Sequence, residues 1–102
     1  MNRPLWVSWM IAFVFLLGTT SVFAQPSYAK WGKMAVEETQ KQYPRAQIID
    51  YFHVGRTTVS PTTSRETFRL WIRQDQREFA VIVRITFLTA SEKLLSIQIQ
   101  ER

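Results

Sequence analysis

Between Glu66 and Leu88 the chain alternates so regularly that few folds remain open to it. Phe68, Leu70 and Ile72 take turns with Thr67, Arg69, Trp71 and Arg73. After Gln74-Asp75-Gln76-Arg77 the alternation resumes at Phe79, Val81, Val83, Ile85 and Phe87. A period of two, carried by β-branched and aromatic residues, predicts two half-buried strands joined by a tight turn. With Asp75-Gln76 at the tip, Ile72 faces Phe79, Leu70 faces Val81 and Phe68 faces Val83. On the other side Arg73 meets Glu78, Trp71 meets Ala80 and Thr67 meets Arg84. Apolar residues oppose apolar ones and opposite charges oppose each other, which is the pairing that stabilises neighbouring strands. Asp-Gln is not the favoured Asn-Gly or Asp-Gly tip, so the turn type stays open.

The rest of the chain is arranged around this hairpin. From Tyr28 to Tyr43 the period changes to 3.6. Tyr28, Trp31, Gly32, Ala35, Val36, Thr39 and Tyr43 share one arc, and Lys30, Lys33, Glu37, Gln40 and Lys41 lie opposite. That is an amphipathic helix with a core-facing stripe, ended by Pro44. Gly32 lies on the apolar arc and marks a close approach to the sheet. Ala46 to Val54 predicts a strand whose faces are less distinct. Ile48, Phe52 and Val54 share a side with Asp50, and Ile49, Tyr51 and His53 share the other. Aliphatic bulk favours the first set inward, at the cost of an inward carboxylate. Gly55 to Arg65 is hydroxyl-rich and broken by Pro61, and predicts a long connection. After a turn at Thr89 to Lys93, Leu95, Ile97 and Ile99 continue the register opposite Phe87, Ile85 and Val83. The expected fold is α+β: one N-terminal amphipathic helix packed on a four-stranded antiparallel meander, preceded by a hydrophobic signal peptide.

The signal peptide is read from Arg3, the apolar run Leu5 to Leu17, and the small residues up to Ala24. Val22 and Ala24 supply the −3 and −1 positions for cleavage before Gln25. The run is broken by Gly18 and three hydroxyl residues, short of the roughly 20 apolar residues a membrane span needs. The expected organisation is therefore a signal peptide over 1–24, a leader over 25–29, and a single small domain over 30–102. The mature chain is expected outside the cell or at its envelope, touching the membrane only transiently through the signal peptide. The absence of cysteine excludes disulfides and thiolate metal sites, so so small a domain must rely on packing. A net charge of +5 favours anionic surroundings over nothing more specific.

Two tracts, WGKMAVEETQKQYPRAQIIDYFHVGR and ETFRLWIRQDQREFAVIVRITF, carry a resemblance. Through them the chain resembles the YqzG/YhdC-like family of small exported bacillary proteins of unknown function. The similarity covers nearly the whole mature chain and is most specific from Tyr43-Pro44 through Asp50-Tyr51 to His53-Val54-Gly55-Arg56. It implies no reaction and no catalytic residue. The order of a helix before an antiparallel meander is also similar to PepSY-type and cystatin-like domains, a likeness of architecture that does not fix function.

No catalytic, metal or cofactor constellation stands out, and a cofactor is not expected. His53 is the only histidine, and Asp50, three residues away on a strand, falls on the opposite face. The acids Glu66, Asp75, Glu78 and Glu92 are scattered, and no serine sits in a nucleophile elbow. Arg56 and Arg65 flank the hydroxyl-rich segment and form a candidate anion loop. The sheet face away from the helix is the stronger candidate. Arg69, Trp71 and Arg73 lie there beside Ile82 and Arg84, an apolar centre with a basic rim. The opposing reading is that arginine stems simply cover Trp71. The expected function is an exported, non-catalytic interaction module acting through that face, its partner an unknown protein. The alternative is a basic protein held at an anionic envelope polymer or membrane surface. Nucleic acid is not an expected partner.

Overall fold

The computed structural model describes residues 27–102. The expected signal peptide and cleavage site fall outside them. One helix, α1 (Ala29–Gln42), is followed by four strands: β1 (Gln47–Ser60), β2 (Thr63–Gln74), β3 (Arg77–Leu88) and β4 (Leu94–Glu101). The strands form one antiparallel sheet in the order β1-β2-β3-β4, with α1 across one face. This is the expected α+β architecture.

The β2–β3 hairpin has the register the alternation demands. Ile72 pairs with Phe79, Leu70 with Val81, Phe68 with Val83, and Trp71 with Ala80. Asp75 takes a positive φ of 58° at the first tip position, and its carboxylate is met by Arg45 at 3.4 Å. Phe68, Leu70, Ile72, Val81, Val83, Ile85 and Phe87 are fully buried beneath the helix. Trp31 stacks on Phe87 with centroids 4.4 Å apart, and Tyr43 meets Phe79 edge-on at 5.6 Å. The helix thus runs from the Phe87 end of β3 to its Phe79 end. Trp31, Gly32, Ala35 and Thr39 make its buried stripe, with Tyr28, Val36 and Tyr43 at the margin. Met34 also packs on the core margin. The core and its margin residues run from Tyr28 to Ile99, within the described residues 27–102.

Three expectations are corrected. The segment Gly55 to Arg65 is not a long connection: β1 runs on to Ser60 and β2 begins at Thr63, leaving Pro61-Thr62 as the turn. Thr57, Thr58 and Val59 are β-branched and pair readily in a ladder, whatever their hydroxyl content. On β4, Leu94 rather than Leu95 pairs with Phe87, because the register slips there by one residue. The inward face of β1 is also different. Tyr51 pairs with Leu70 and His53 with Phe68, so both turn to the helix side, as does Ile48 against Ile72. Asp50 and Phe52 pair with Trp71 and Arg69 and turn away. The cause is a set of register shifts in β1 that insert Ile49, Val54 and Val59 as extra residues. Each shift restarts the alternation, so a single parity cannot hold along the strand.

Candidate functional site

Beneath the N-terminal end of α1 the sheet buries a carboxylate. Glu66 belongs to the inward row of β2 and is 1% exposed. Its Oε1 accepts a 2.7 Å hydrogen bond from His53 Nε2, and its Oε2 accepts one from Arg56 Nε. His53 and Arg56 are three apart, a spacing that on a regular strand puts side chains on opposite faces. The shift at Val54 removes one step of alternation and turns both inward. Tyr28, just before the helix, stacks on the imidazole with centroids 3.8 Å apart and planes 11° from parallel. The Arg56 guanidinium lies 5.2 Å from the Phe87 ring centroid. Tyr51 stands nearby, stacked on Phe68 at 5.6 Å. Burial pushes its phenol pKa up, with Tyr28 and the Glu66 charge adding to the effect, so it remains a neutral phenol.

Such a cluster is a clamp that ties β1, β2 and the helix start together. Each Glu66 oxygen accepts one charged or polar donor, so the carboxylate is held between His53 and Arg56. Among the described residues no side-chain hydroxyl is hydrogen-bonded to His53. Among the same residues no group of three or more His, Cys, Asp or Glu is placed to hold a metal ion.

The face away from the helix carries the residues singled out from alternation. Arg69, Trp71 and Arg73 share the outward row of β2, and Ile82 and Arg84 that of β3. Trp71 Nε1 donates to Glu78 Oε1 at 2.8 Å, and Arg73 Nε donates to Glu78 Oε2 at 3.0 Å. The indole hydrogen bond first, and Arg73 second, hold the Glu78 carboxyl below its usual range. Ile82 is only 5% exposed although no second layer covers this face. It is flanked by Arg69 across one pairing and Gln100 across the other. The apolar centre is therefore largely covered, and its Trp71 is already bound to a neighbour.

The arginines are less engaged. Arg65 Nε donates to Thr86 Oγ1 at 3.1 Å and Arg84 donates to Gln100 Oε1 at 2.9 Å. Among the described residues Arg69 has neither an ion pair nor a side-chain hydrogen bond. Arg84 pairs with Thr67, the residue between Arg65 and Arg69 in the outward row, so the three charges form one patch. Diagonal neighbours on adjacent strands sit about 7–8 Å apart. The structure does not bring Arg56 and Arg65 together. Arg56 opposes Glu66 on the helix side, and Arg65 opposes Thr57 on the other. Asp50 and His53 are likewise on opposite faces. Alternation alone did reveal the outward set. It missed the Glu66 clamp, whose one sequence trace is a carboxylate at an inward position of the most regular strand.

The comparisons with known proteins agree with this fold and add no activity. Residues 10–101 match a family model described as protein of unknown function, DUF3889. The chain is 30% identical over 95 residues to the uncharacterized protein YqzG of Bacillus subtilis (strain 168), covering 86% of this chain and 87% of that one. An NMR structure of a protein from Bacillus subtilis is similar with a TM-score of 0.66 and 30% identity, covering 82% of this chain and 91% of the other. The chain belongs to the DUF3889 family, whose function is unknown.

Proposed function

We propose that the protein is an exported, non-catalytic binding module whose open sheet face holds an oxyanion-bearing component of the cell envelope. The observation that carries this reading is the patch of Arg65, Arg69 and Arg84, three neighbouring guanidiniums with no carboxylate among their partners. Six other basic residues, Lys30, Lys41, Arg45, Arg56, Arg73 and Arg77, each meet an acidic side chain, while Lys33, Lys93 and Arg102, which make no ion pair among the described residues, lie apart from the patch. Gathering like charges without counter-charge is unfavourable for the free protein and becomes favourable when an anion arrives. Guanidinium groups suit carboxylates and phosphates because their planar donors bind two oxygens at once. Trp71, expected as the apolar anchor of a protein partner, is tied to Glu78, so charge rather than an aromatic plug is what this face has to offer.

Binding of residues 25–102 to a soluble polyphosphate tests the reading. Changing Arg65, Arg69 and Arg84 together to Gln should weaken binding by about tenfold or more, and more steeply at low salt. Changing Lys33, Arg45 and Lys93 to Gln removes the same charge from other surfaces and serves as control. Equal losses in the two triples would reduce the effect to net charge and defeat the proposal. N-terminal sequencing of protein recovered outside the membrane checks export separately. Gln25 is the expected first residue, and retention of Met1 in the membrane would refute it.

A further inference from the structure

The sheet shifts register four times: between Ile48 and Asp50, His53 and Gly55, Thr58 and Ser60 on β1, and opposite Thr86/Phe87 on β4. The residues thereby inserted are Ile49, Val54, Val59 and Leu95. All are aliphatic, and all are between 44% and 53% exposed. An inserted residue is left out of the ladder and has no partner to satisfy. A polar side chain would serve there equally well, and in none of the four places does one occur. Val and Ile are good strand formers, but Leu95 does not owe its place to β propensity.

The three on β1 lie along the edge strand of the sheet. Ile49, Val54 and Val59 each follow an inward residue, namely Ile48, His53 and Thr58, and precede an outward one that pairs with Trp71, Thr67 or Thr63. With Phe52, outward opposite Arg69 and 62% exposed, they give the β1 edge four exposed apolar side chains, interrupted by the outward Asp50 and Thr57. The next row inward, on β2, is the one that carries Arg65, Arg69 and Arg73. An exposed apolar edge beside a basic row is the arrangement by which peripheral proteins sit on anionic lipid. Apolar side chains enter the headgroup and acyl boundary while Lys or Arg engages the headgroups. Arginine stems extend along apolar surface and keep their charge at the polar level. A lipid surface also makes no demand for a complementary groove. Among the described residues no helix is long and apolar enough to cross a membrane, so the contact is peripheral.

We infer that the oxyanion-bearing component is the lipid bilayer itself, with Ile49, Phe52, Val54 and Val59 entering its surface beside the arginine patch. The inference rests on the proposed anion-binding role of the open face. It adds apolar insertion along the β1 edge to the purely electrostatic membrane attachment that the sequence reading held as its alternative.

The experiment uses residues 25–102 and vesicles of phosphatidylglycerol with phosphatidylcholine, pure phosphatidylcholine vesicles, and soluble polyphosphate. Phe52→Thr, Val54→Thr and Val59→Thr are combined, since Thr preserves strand propensity at exposed positions. Co-sedimentation with the anionic vesicles should fall about tenfold or more in this triple, while polyphosphate binding stays unchanged. Val54→Trp alone should show a blue-shifted emission on anionic vesicles and quenching by lipids brominated in the acyl chain. That second variant decides the matter if the Thr triple proves poorly folded by circular dichroism. Unaltered vesicle binding by a folded Thr triple, or a Trp at position 54 beyond reach of the brominated lipid, overturns the inference. Arginine-dependent polyphosphate binding without any vesicle binding also overturns it, and leaves the anion-binding module standing. Loss of both removes the inference and the module together. Self-association that the Thr triple abolishes, with no vesicle binding, would assign the stripe to a second copy and equally overturn it.

Discussion

The clamp at Glu66 makes a quantitative demand on folding. Its carboxylate is 1% exposed, while the side chains of Arg56 and His53 retain 37% and 22% of their exposure. Removing one partner of a buried ion pair costs about 3–5 kcal/mol, because the remaining charge stays out of water. Arg56→Leu leaves Glu66 with His53 alone, and the partial solvent access at this site sets the expected cost near the lower end, about 3 kcal/mol. Glu66→Leu leaves two cations that can still reach water, and should cost about 1 kcal/mol. The double change Arg56→Leu/Glu66→Leu removes both charges and adds apolar packing, so it should lie within about 1 kcal/mol of the parent. A domain of this length has about 4–11 kcal/mol in all, so the single change at Arg56 is a large fraction of it. Urea melts followed by circular dichroism give the three values. The double change should therefore cost less than the sum of the singles by about 3 kcal/mol or more. If Arg56→Leu costs less than about 1 kcal/mol and the double change equals the sum of the singles, the pair is not a buried clamp and the reasoning fails.

Gly32 lies against Tyr51, where a Cβ would collide with the phenol hydroxyl and lie 2.8 Å from Cζ. Gly32→Ala should therefore destabilise the parent, yet stabilise a Tyr51→Ala background by about 1 kcal/mol through helix propensity; thermal melts showing the same effect in both backgrounds would exclude a steric origin. The depressed Glu78 pKa means that its contribution is present above the unfolded-state value and is lost as pH falls through the folded one. The indole N–H resonance of Trp71 should accordingly titrate below the ordinary glutamate range, and Glu78→Gln should abolish that titration.

The parts of the fold legible in the sequence are those where period and packing agree. The β2–β3 hairpin buries one face under the helix, and a slip of one residue would expose Phe68, Leu70 and Ile72 together. Its register could therefore be worked out from side chains alone. The α1 stripe was legible for the same reason, with Gly32 marking the Tyr51 contact. β1 was not, because an edge strand has a partner on one side only and is free to take in extra residues. With an inserted residue every five positions, its hydrophobic pattern has neither a period of two nor one of 3.6. The candidate face was half legible: parity places Arg69, Trp71, Arg73, Ile82 and Arg84 together, but not what each touches. That Trp71 is held by Glu78, and that Arg69 is left without a partner, depends on rotamers that no spacing rule encodes.

The clamp and the apolar edge have one origin in β1. On a regular strand His53 and Arg56 would point to opposite sides, and Glu66 could receive only one of them. The extra residue at Val54 turns Arg56 inward, and Val54 itself is left out of the ladder and 53% exposed. Gly55, next to it, takes a φ of 156°, and a Cβ there would meet nothing, so open space borders the shift on the outer side. A β1 without that insertion could keep its residues up to His53 in place only by sending Arg56 outward and Thr57 inward. Glu66 would then lose a cation from a site that hardly touches water. The clamp accounts for the bulge at this spacing of His53 and Arg56, because Glu66 requires both partners inward. It does not account for the side chain inserted, since Val54 contributes nothing to the clamp and is 53% exposed. The same separation holds at Ile49 and Val59: the shifts set the strand's path, and the aliphatic character of what they extrude is left over. That remainder, lying beside the arginine row, is the part of this sheet that folding does not explain and that the proposed membrane contact would.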